Sequence, residues 1–138
     1  MKRTLAGRLE LHDSIEFVLD AVLPRVAITQ QAQPVAVHPV CSVRKMGLVD
    51  KLTAVAARCS ERVVTVDDVL CCGFAGDRGF THPELNEHAL RHLRSSLPGT
   101  CAAGYSSSRT CEIGLSEQAG VPYRSFIRLV EARARVKR

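Results

Sequence analysis

The chain has 138 residues, a net charge of +5 and 46% hydrophobic residues, enough for one ordinary domain that buries a core without cross-links and too little for a second. Four phenylalanines, two tyrosines and no tryptophan, with no basic stripe among them, argue against nucleic-acid binding; much of the charge lies in Arg124, Arg128, Arg133, Arg135, Lys137 and Arg138, where cations suit a helix end. Met1 to Ser14 lacks an apolar signal region and no later run reaches the roughly eighteen apolar residues of a membrane span, so a cytoplasmic chain without a transmembrane segment is expected. Peripheral contact with an anionic membrane surface, or with a partner that sits on one, stays open.

Asp13-x-x-Glu16 reads as a capping box that opens a helix through Ile15, Val18, Leu19 and Val22, closed by Pro24. Residues 1–30 are therefore expected to form a helical segment ahead of an α/β core over 31–138. Val35–Val37 reads as a short buried strand ending at His38-Pro39, and Leu48, Leu52, Val55 and Cys59 recur at helical spacing. Val63–Val66 predicts the second strand, followed by a glycine-rich loop from Leu70 to Phe80. Thr81-x-x-Glu84, with Pro83 in the first turn, predicts a capped helix carrying Leu85, Leu90, Leu93 and Leu97, ended by Pro98-Gly99. Cys101–Tyr105 reads as the third strand, Ser107 or Ser108 as the cap of the next helix, and Gly120 as its end before Val121-Pro122-Tyr123. A last helix runs from about Ser125 to Arg133. Strands alternating with helices predict an α/β fold, an open, mostly parallel sheet of about four strands with flanking helices in Rossmann-like βαβ units.

The chemistry of the chain lies in its cysteines. Cys71 and Cys72 are adjacent and precede Gly73, Gly76 and Gly79; Cys41 stands thirty positions before Cys71 and Cys111 thirty-nine after Cys72. Each of the four follows a predicted strand, and in a parallel sheet ligands collect at the carboxyl ends of strands, so the four thiols are expected to converge at one edge. In a reducing compartment they read as ligands rather than as disulfides, and thiolates bind soft or borderline metals. Four suffice for an iron–sulfur cluster of the [4Fe–4S] type or for a closed zinc site; an unmetallated thiol cluster is the third reading. The glycines let backbone N–H groups approach an anionic centre, Cys111 falls in the first turn of a helix, and Arg44, Lys45, Arg78 and Arg109 add nearby positive charge, of which Arg44, Arg78 and Arg109 would ease reduction of a cluster.

The spacing Cys41, Cys71-Cys72-Gly73, Cys111 resembles the cysteine-rich CCG domain of heterodisulfide reductases and of many flavin- and iron–sulfur-linked oxidoreductases, over most of the chain. That family ends in a Cys-x-x-Cys pair; here Ser108 stands at the first position of the pair, which leaves too few cysteines for a noncubane cluster. A narrower similarity lies in residues 38–47, 71–85 and 106–115, which look like the C-terminal region of bacterial NAD-independent D-lactate dehydrogenases. The resemblance implies an iron–sulfur electron-transfer module, with Cys41, Cys71, Cys72 and Cys111 as ligands. It implies FAD on a missing domain or partner chain and a quinone or cytochrome as acceptor. Such a module is a detached or truncated part of an oxidoreductase and is not catalytic alone. A structural zinc or thiol module that docks onto a partner oxidoreductase is the alternative.

Other residues carry plainer readings. Cys59 and Cys101 read as core, since free cysteine is commonly buried. His38 and His82 each precede proline and read as loop pins before they read as ligands. Asp77, Glu84 and Glu112 read as caps rather than an acid–base pair, and Ser106-Ser107-Ser108 lacks the nucleophile elbow of a hydrolase. A vicinal Cys71–Cys72 disulfide, or a redox sensor built on that pair, is a third hypothesis.

Overall fold

The computed structural model describes residues 3–5 and 9–137. Its centre is a four-stranded sheet of β4 (Val35–Val37), β5 (Val63–Val64), β6 (Gly104–Ser106) and β7 (Tyr123–Ser125), ordered β5-β4-β6-β7 and parallel throughout. The α/β fold with a parallel sheet of about four strands is therefore present. All three residues of β4 are buried, as expected of a central parallel strand covered on both faces. Counted in chain order the sheet runs 2-1-3-4, so the chain reverses its direction of winding between β4 and β6. That reversal opens a crevice at the carboxyl ends of these two strands.

Helices cover the sheet. α2 (Cys41–Lys45) follows β4 directly, and α3 (Val49–Cys59) buries Leu52, Val55, Ala56 and Cys59 and packs against α7 (Phe126–Arg133). A second layer is formed by α4 (Pro83–Leu90), α5 (Leu93–Ser96) and α6 (Arg109–Ala119), with α4 and α5 both packed on α6. Gly120 ends α6 in the left-handed conformation at φ +70°, as the sequence predicts. Ser125 caps α7 by accepting from the Ile127 N–H.

The N-terminal region departs from a purely helical segment. β1 (Arg3–Leu5) and β2 (Leu9–Leu11) form an antiparallel hairpin. α1 (Ser14–Phe17) is capped by Asp13, continues as a π-helical turn over Val18–Val22 and ends in a 3₁₀ turn, Leu23–Arg25, that contains Pro24. β3 (Val26–Ile28) then pairs with the C-terminal β8 (Ala134–Val136). The reason is local: Leu9-Glu10-Leu11 alternates with strand period and Val26-Ala27-Ile28 is rich in β-branched residues, which favour a paired, half-buried strand over another helical turn.

Four boundaries also differ from the sequence reading, the first being the second strand, expected over 63–66 but paired only at Val63–Val64. The Thr81 hydroxyl donates to the Arg78 carbonyl at 3.2 Å instead of capping α4, so His82 is the N-cap residue there and no side chain caps the helix. The expected single helix is divided into α4 and α5 at Arg91-His92. Cys101 lies before the third strand because its N–H closes a turn onto the Pro98 carbonyl at 2.9 Å, and extended pairing starts at Gly104.

Candidate metal and thiol centre

β5, β4 and β6 are neighbours, and each delivers cysteine to the same edge. Cys41 begins α2 after β4, Cys71 and Cys72 lie in the loop after β5, and Cys111 is the third residue of α6 after β6. Cys41 and Cys111 thus flank the crevice where the winding reverses. Cys41 and Cys71 are exposed, whereas Cys72 and Cys111 are buried at 3% and 8% exposure.

The buried pair is in contact, with Cys72 Sγ 2.8 Å from Cys111 Sγ. Cys71, the preceding residue in the chain, is exposed, and its sulfur accepts from the Gly73 N–H at 3.4 Å. The thiol series is thus a buried Cys72–Cys111 contact, with exposed Cys71 adjoining it in the chain. All six cysteines are free, and Cys59 and Cys101 are core residues away from this series.

The loop is shaped to serve sulfur. Gly73 has φ +70°, and a Cβ there would lie 2.4 Å from the Leu85 carbonyl oxygen and 2.8 Å from Ala89 Cβ, so only glycine lets the loop lie flat on α4. Ala75 and Gly76 are also left-handed, at φ 48° and 76°. The resulting turn directs backbone N–H at sulfur: Gly73 N–H donates to Cys71 Sγ at 3.4 Å. The hydrogen bond with Cys111 first, and then the Phe74 and Cys72 backbone amides, lower the Cys72 thiol to about 6 against the opposing effect of burial. The same shared proton, and burial, push Cys111 up; the Ser108 hydroxyl acts the other way. One negative charge is thus readily held between the two sulfurs.

A residue the motif reading missed anchors this arrangement. Asn86, 2% exposed on α4, donates from Nδ2 to the Cys72 carbonyl at 2.6 Å. Its amide occupies space left open by Gly114 on α6, where a Cβ would lie 2.3 Å from Asn86 Nδ2 and 2.7 Å from Phe74 Cδ2. Gly79 likewise leaves room for the Phe74 ring, which meets Phe80 edge-on at 4.9 Å between centroids. The signal was present in the sequence: Asn86 shares a helical stripe with Leu90, Leu93 and Leu97, and Gly114 sits inside a helix.

The neighbouring polar groups divide into several cases. Arg44 is half-buried and donates to the Pro39 carbonyl at 3.2 Å and the Val69 carbonyl at 3.5 Å. Arg109 pairs with the buried Glu112 at 3.2 Å, which offsets part of its charge, while Arg78 and Lys45 are exposed. His38 is 4% exposed and its Nε2 has no hydrogen-bond partner; burial first, and then the Arg44 charge, lower it to about 4, so it is neutral. His82 is exposed and lies 3.1 Å from Glu84. A cleft of ≈ 480 Å³ between Leu11, Glu16, Lys45 and Met46 contains none of the cysteines.

The donor set suits a soft cation or a cluster. Thiols face one edge and N–H groups are directed at sulfur, as an anionic centre requires. The spacing is narrower than a metal asks for: two thiolates on one tetrahedral zinc lie about 3.8 Å apart, given bonds of about 2.3 Å, and ligands of a cubane lie farther apart. The 2.8 Å pair would have to open by about 1 Å or more to take either. Consistent with that, no group of three or more His, Cys, Asp or Glu side chains among the described residues is set to hold a metal ion. The strand topology thus gathers the four cysteines, but they do not form a preassembled cage.

No family model matches the chain, and no curated protein or solved structure matches it. Among the described residues no helix is long and apolar enough to cross a membrane.

Proposed function

We propose that the chain is a CCG-type electron-transfer module that binds an iron–sulfur cluster through Cys41, Cys71, Cys72 and Cys111. It serves an FAD-linked D-lactate or D-2-hydroxyacid dehydrogenase whose flavin and substrate sites lie on another domain or chain. The supporting observation is the gathering of these four cysteines at the carboxyl ends of three adjacent parallel strands, where loop N–H groups point at sulfur. When bound, the cluster supplies one-electron transfer.

The chain's own part is to hold and tune. Asn86 fixes the Cys72 carbonyl and the Gly73 turn seats the loop on α4, so the thiols are set by packed helices rather than by a free loop. Loop N–H groups offset negative charge at sulfur, which raises the tendency to accept an electron. Leu70 and Phe80, 61% and 63% exposed, flank the thiol loop and suit docking of the flavin-bearing partner, through which electrons pass toward a quinone or cytochrome. Membrane contact, on this reading, is made through the partner.

Iron, acid-labile sulfide and zinc analysis of anaerobically purified protein, with a visible spectrum of the same sample, tests the reading. About four iron and four sulfide per chain are expected. About one zinc and no sulfide would make the site a structural module and sink the electron-transfer reading.

A further inference from the structure

The contact between Cys72 and Cys111 carries a chemistry that needs no metal. We infer that Cys71, Cys72 and Cys111 form a thiol relay, in which a small-molecule disulfide reacting at exposed Cys71 is converted into a buried Cys72–Cys111 disulfide. The geometry selects this pair. Their sulfurs, at 2.8 Å, need close by only about 0.8 Å to reach disulfide length, and they come from the β5 loop and α6, which have no covalent constraint on each other.

A Cys71–Cys72 disulfide is disfavoured as the end product. Cα atoms of neighbouring residues lie about 3.8 Å apart, below the roughly 4.4 Å at which disulfides begin to be unstrained. That bond is therefore a transit state, and strain drives exchange onward to Cys111.

The steps balance with glutathione disulfide as oxidant. Cys71 sulfur attacks one glutathione sulfur, expelling the first glutathione thiolate and leaving a mixed disulfide. Cys72 sulfur, on the next residue of the chain, attacks the Cys71 sulfur and expels the second glutathione as its thiolate. Cys111 sulfur then attacks Cys72 sulfur and releases Cys71 as a thiolate. Net, two protein thiols lose two protons and two electrons, and one glutathione disulfide becomes two glutathione thiols. The product bond lies where both residues are nearly inaccessible, so its reduction also runs back through Cys71. If the proposed cluster site is correct, the oxidised chain has lost two of its four ligands; the relay itself does not depend on that reading.

The test uses the full chain, freed of metal by chelation and incubated anaerobically with glutathione disulfide, followed by peptide mapping without reduction. The expected product is one intramolecular disulfide joining the Cys71-Cys72 peptide to the Cys111 peptide. It should persist in Cys71→Ser, forming about tenfold more slowly because access limits exchange, and vanish in Cys72→Ser. In Cys111→Ser the expected product is a glutathione adduct or a strained vicinal bond that exchanges readily. A main product linking Cys41, a stable Cys71–Cys72 bond in the unaltered chain, or no cross-link in the folded chain would overturn the relay. None of these results depends on iron content, which separately tests the proposed function.

Discussion

Replacing Gly114 with alanine is a sharp test of how the site is held. On an open helix this change would stabilise the chain by about 1 kcal/mol, because alanine is the better helix former. At this position the new methyl group would lie 2.3 Å from Asn86 Nδ2, 2.7 Å from Phe74 Cδ2 and 3.0 Å from Asn86 Cγ. Neither neighbour has an easy escape, since Asn86 is 2% exposed and bonded to the Cys72 carbonyl, and Phe74 is 2% exposed. Overpacking of this kind costs about 1–3 kcal/mol, and loss of a buried amide–carbonyl bond about 1–3 kcal/mol more. The penalties outweigh the helix gain, and a net loss of about 3 kcal/mol is expected, which lowers Tm by roughly 10 °C for a chain of this size.

Urea unfolding of the reduced, metal-free chain is the assay, with Asn86→Ala and the double variant completing a cycle. Removing the Asn86 amide vacates the space the methyl needs, so the double variant should be less destabilised than the two single losses together, by about 1 kcal/mol or more. A Gly114→Ala chain as stable as the unaltered one or more so, or strictly additive losses, would refute the interlock of α4, α6 and the cysteine loop.

Other consequences can be measured with equal directness. Cys41→Ala and Cys111→Ala should each abolish iron retention as fully as Cys71→Ala does; a full complement of iron in Cys111→Ala would remove it from the ligand set. Gly73→Ala should cost about 3 kcal/mol in urea unfolding, from left-handed strain and from collision with the Leu85 carbonyl, whereas Gly76→Ala, with φ +76° but open space, should cost only about 1 kcal/mol. His38 makes the stability pH-dependent: its pKa falls from 6.5 to about 4 on folding, so the unfolded chain binds the extra proton between those values. Its contribution is complete above pH 6.5 and disappears as pH falls to about 4, a loss of about 3 kcal/mol. His38→Leu should flatten that window in unfolding curves recorded across it, and an unchanged slope would count against the buried neutral imidazole.

How far the sequence could be read follows from the range of each signal. The parallel sheet was legible because β4, α3, β5, α6 and α7 each carry local periodicity, and Gly120 marks a helix end by a backbone need that glycine meets best. The N-terminal strands were not, since three-residue strands such as β1 and β3 depend on partners elsewhere in the chain, β3 on one more than a hundred residues away. Thr81-x-x-Glu84 matched a capping box, yet the Thr81 hydroxyl had a nearer acceptor in Arg78. At the site, topology placed all four cysteines at one edge from strand order alone. Which sulfurs touch was beyond pattern reading: adjacency in sequence pointed to Cys71 with Cys72, whereas burial and helix packing bring Cys72 against Cys111.

That difference bears on how the two proposed chemistries coexist. A cluster asks the Cys72 and Cys111 sulfurs to stand apart, and a disulfide asks them to close, starting from 2.8 Å. Both motions pivot on the same support, because Cys72 is tied through its carbonyl to Asn86, and Asn86 in turn rests on Gly114 of the helix that carries Cys111. A change that slides α4 along α6 therefore alters the sulfur separation without touching a cysteine. Asn86→Asp is the mild form of that change, nearly isosteric but lacking the Nδ2 donor and placing a carboxylate oxygen opposite the Cys72 carbonyl. The repulsion should move the Cys72 loop, slow formation of the Cys72–Cys111 disulfide and weaken iron retention together. Loss of one property with the other intact would mean that the two chemistries use different geometries of the loop, and that Asn86 supports only one of them.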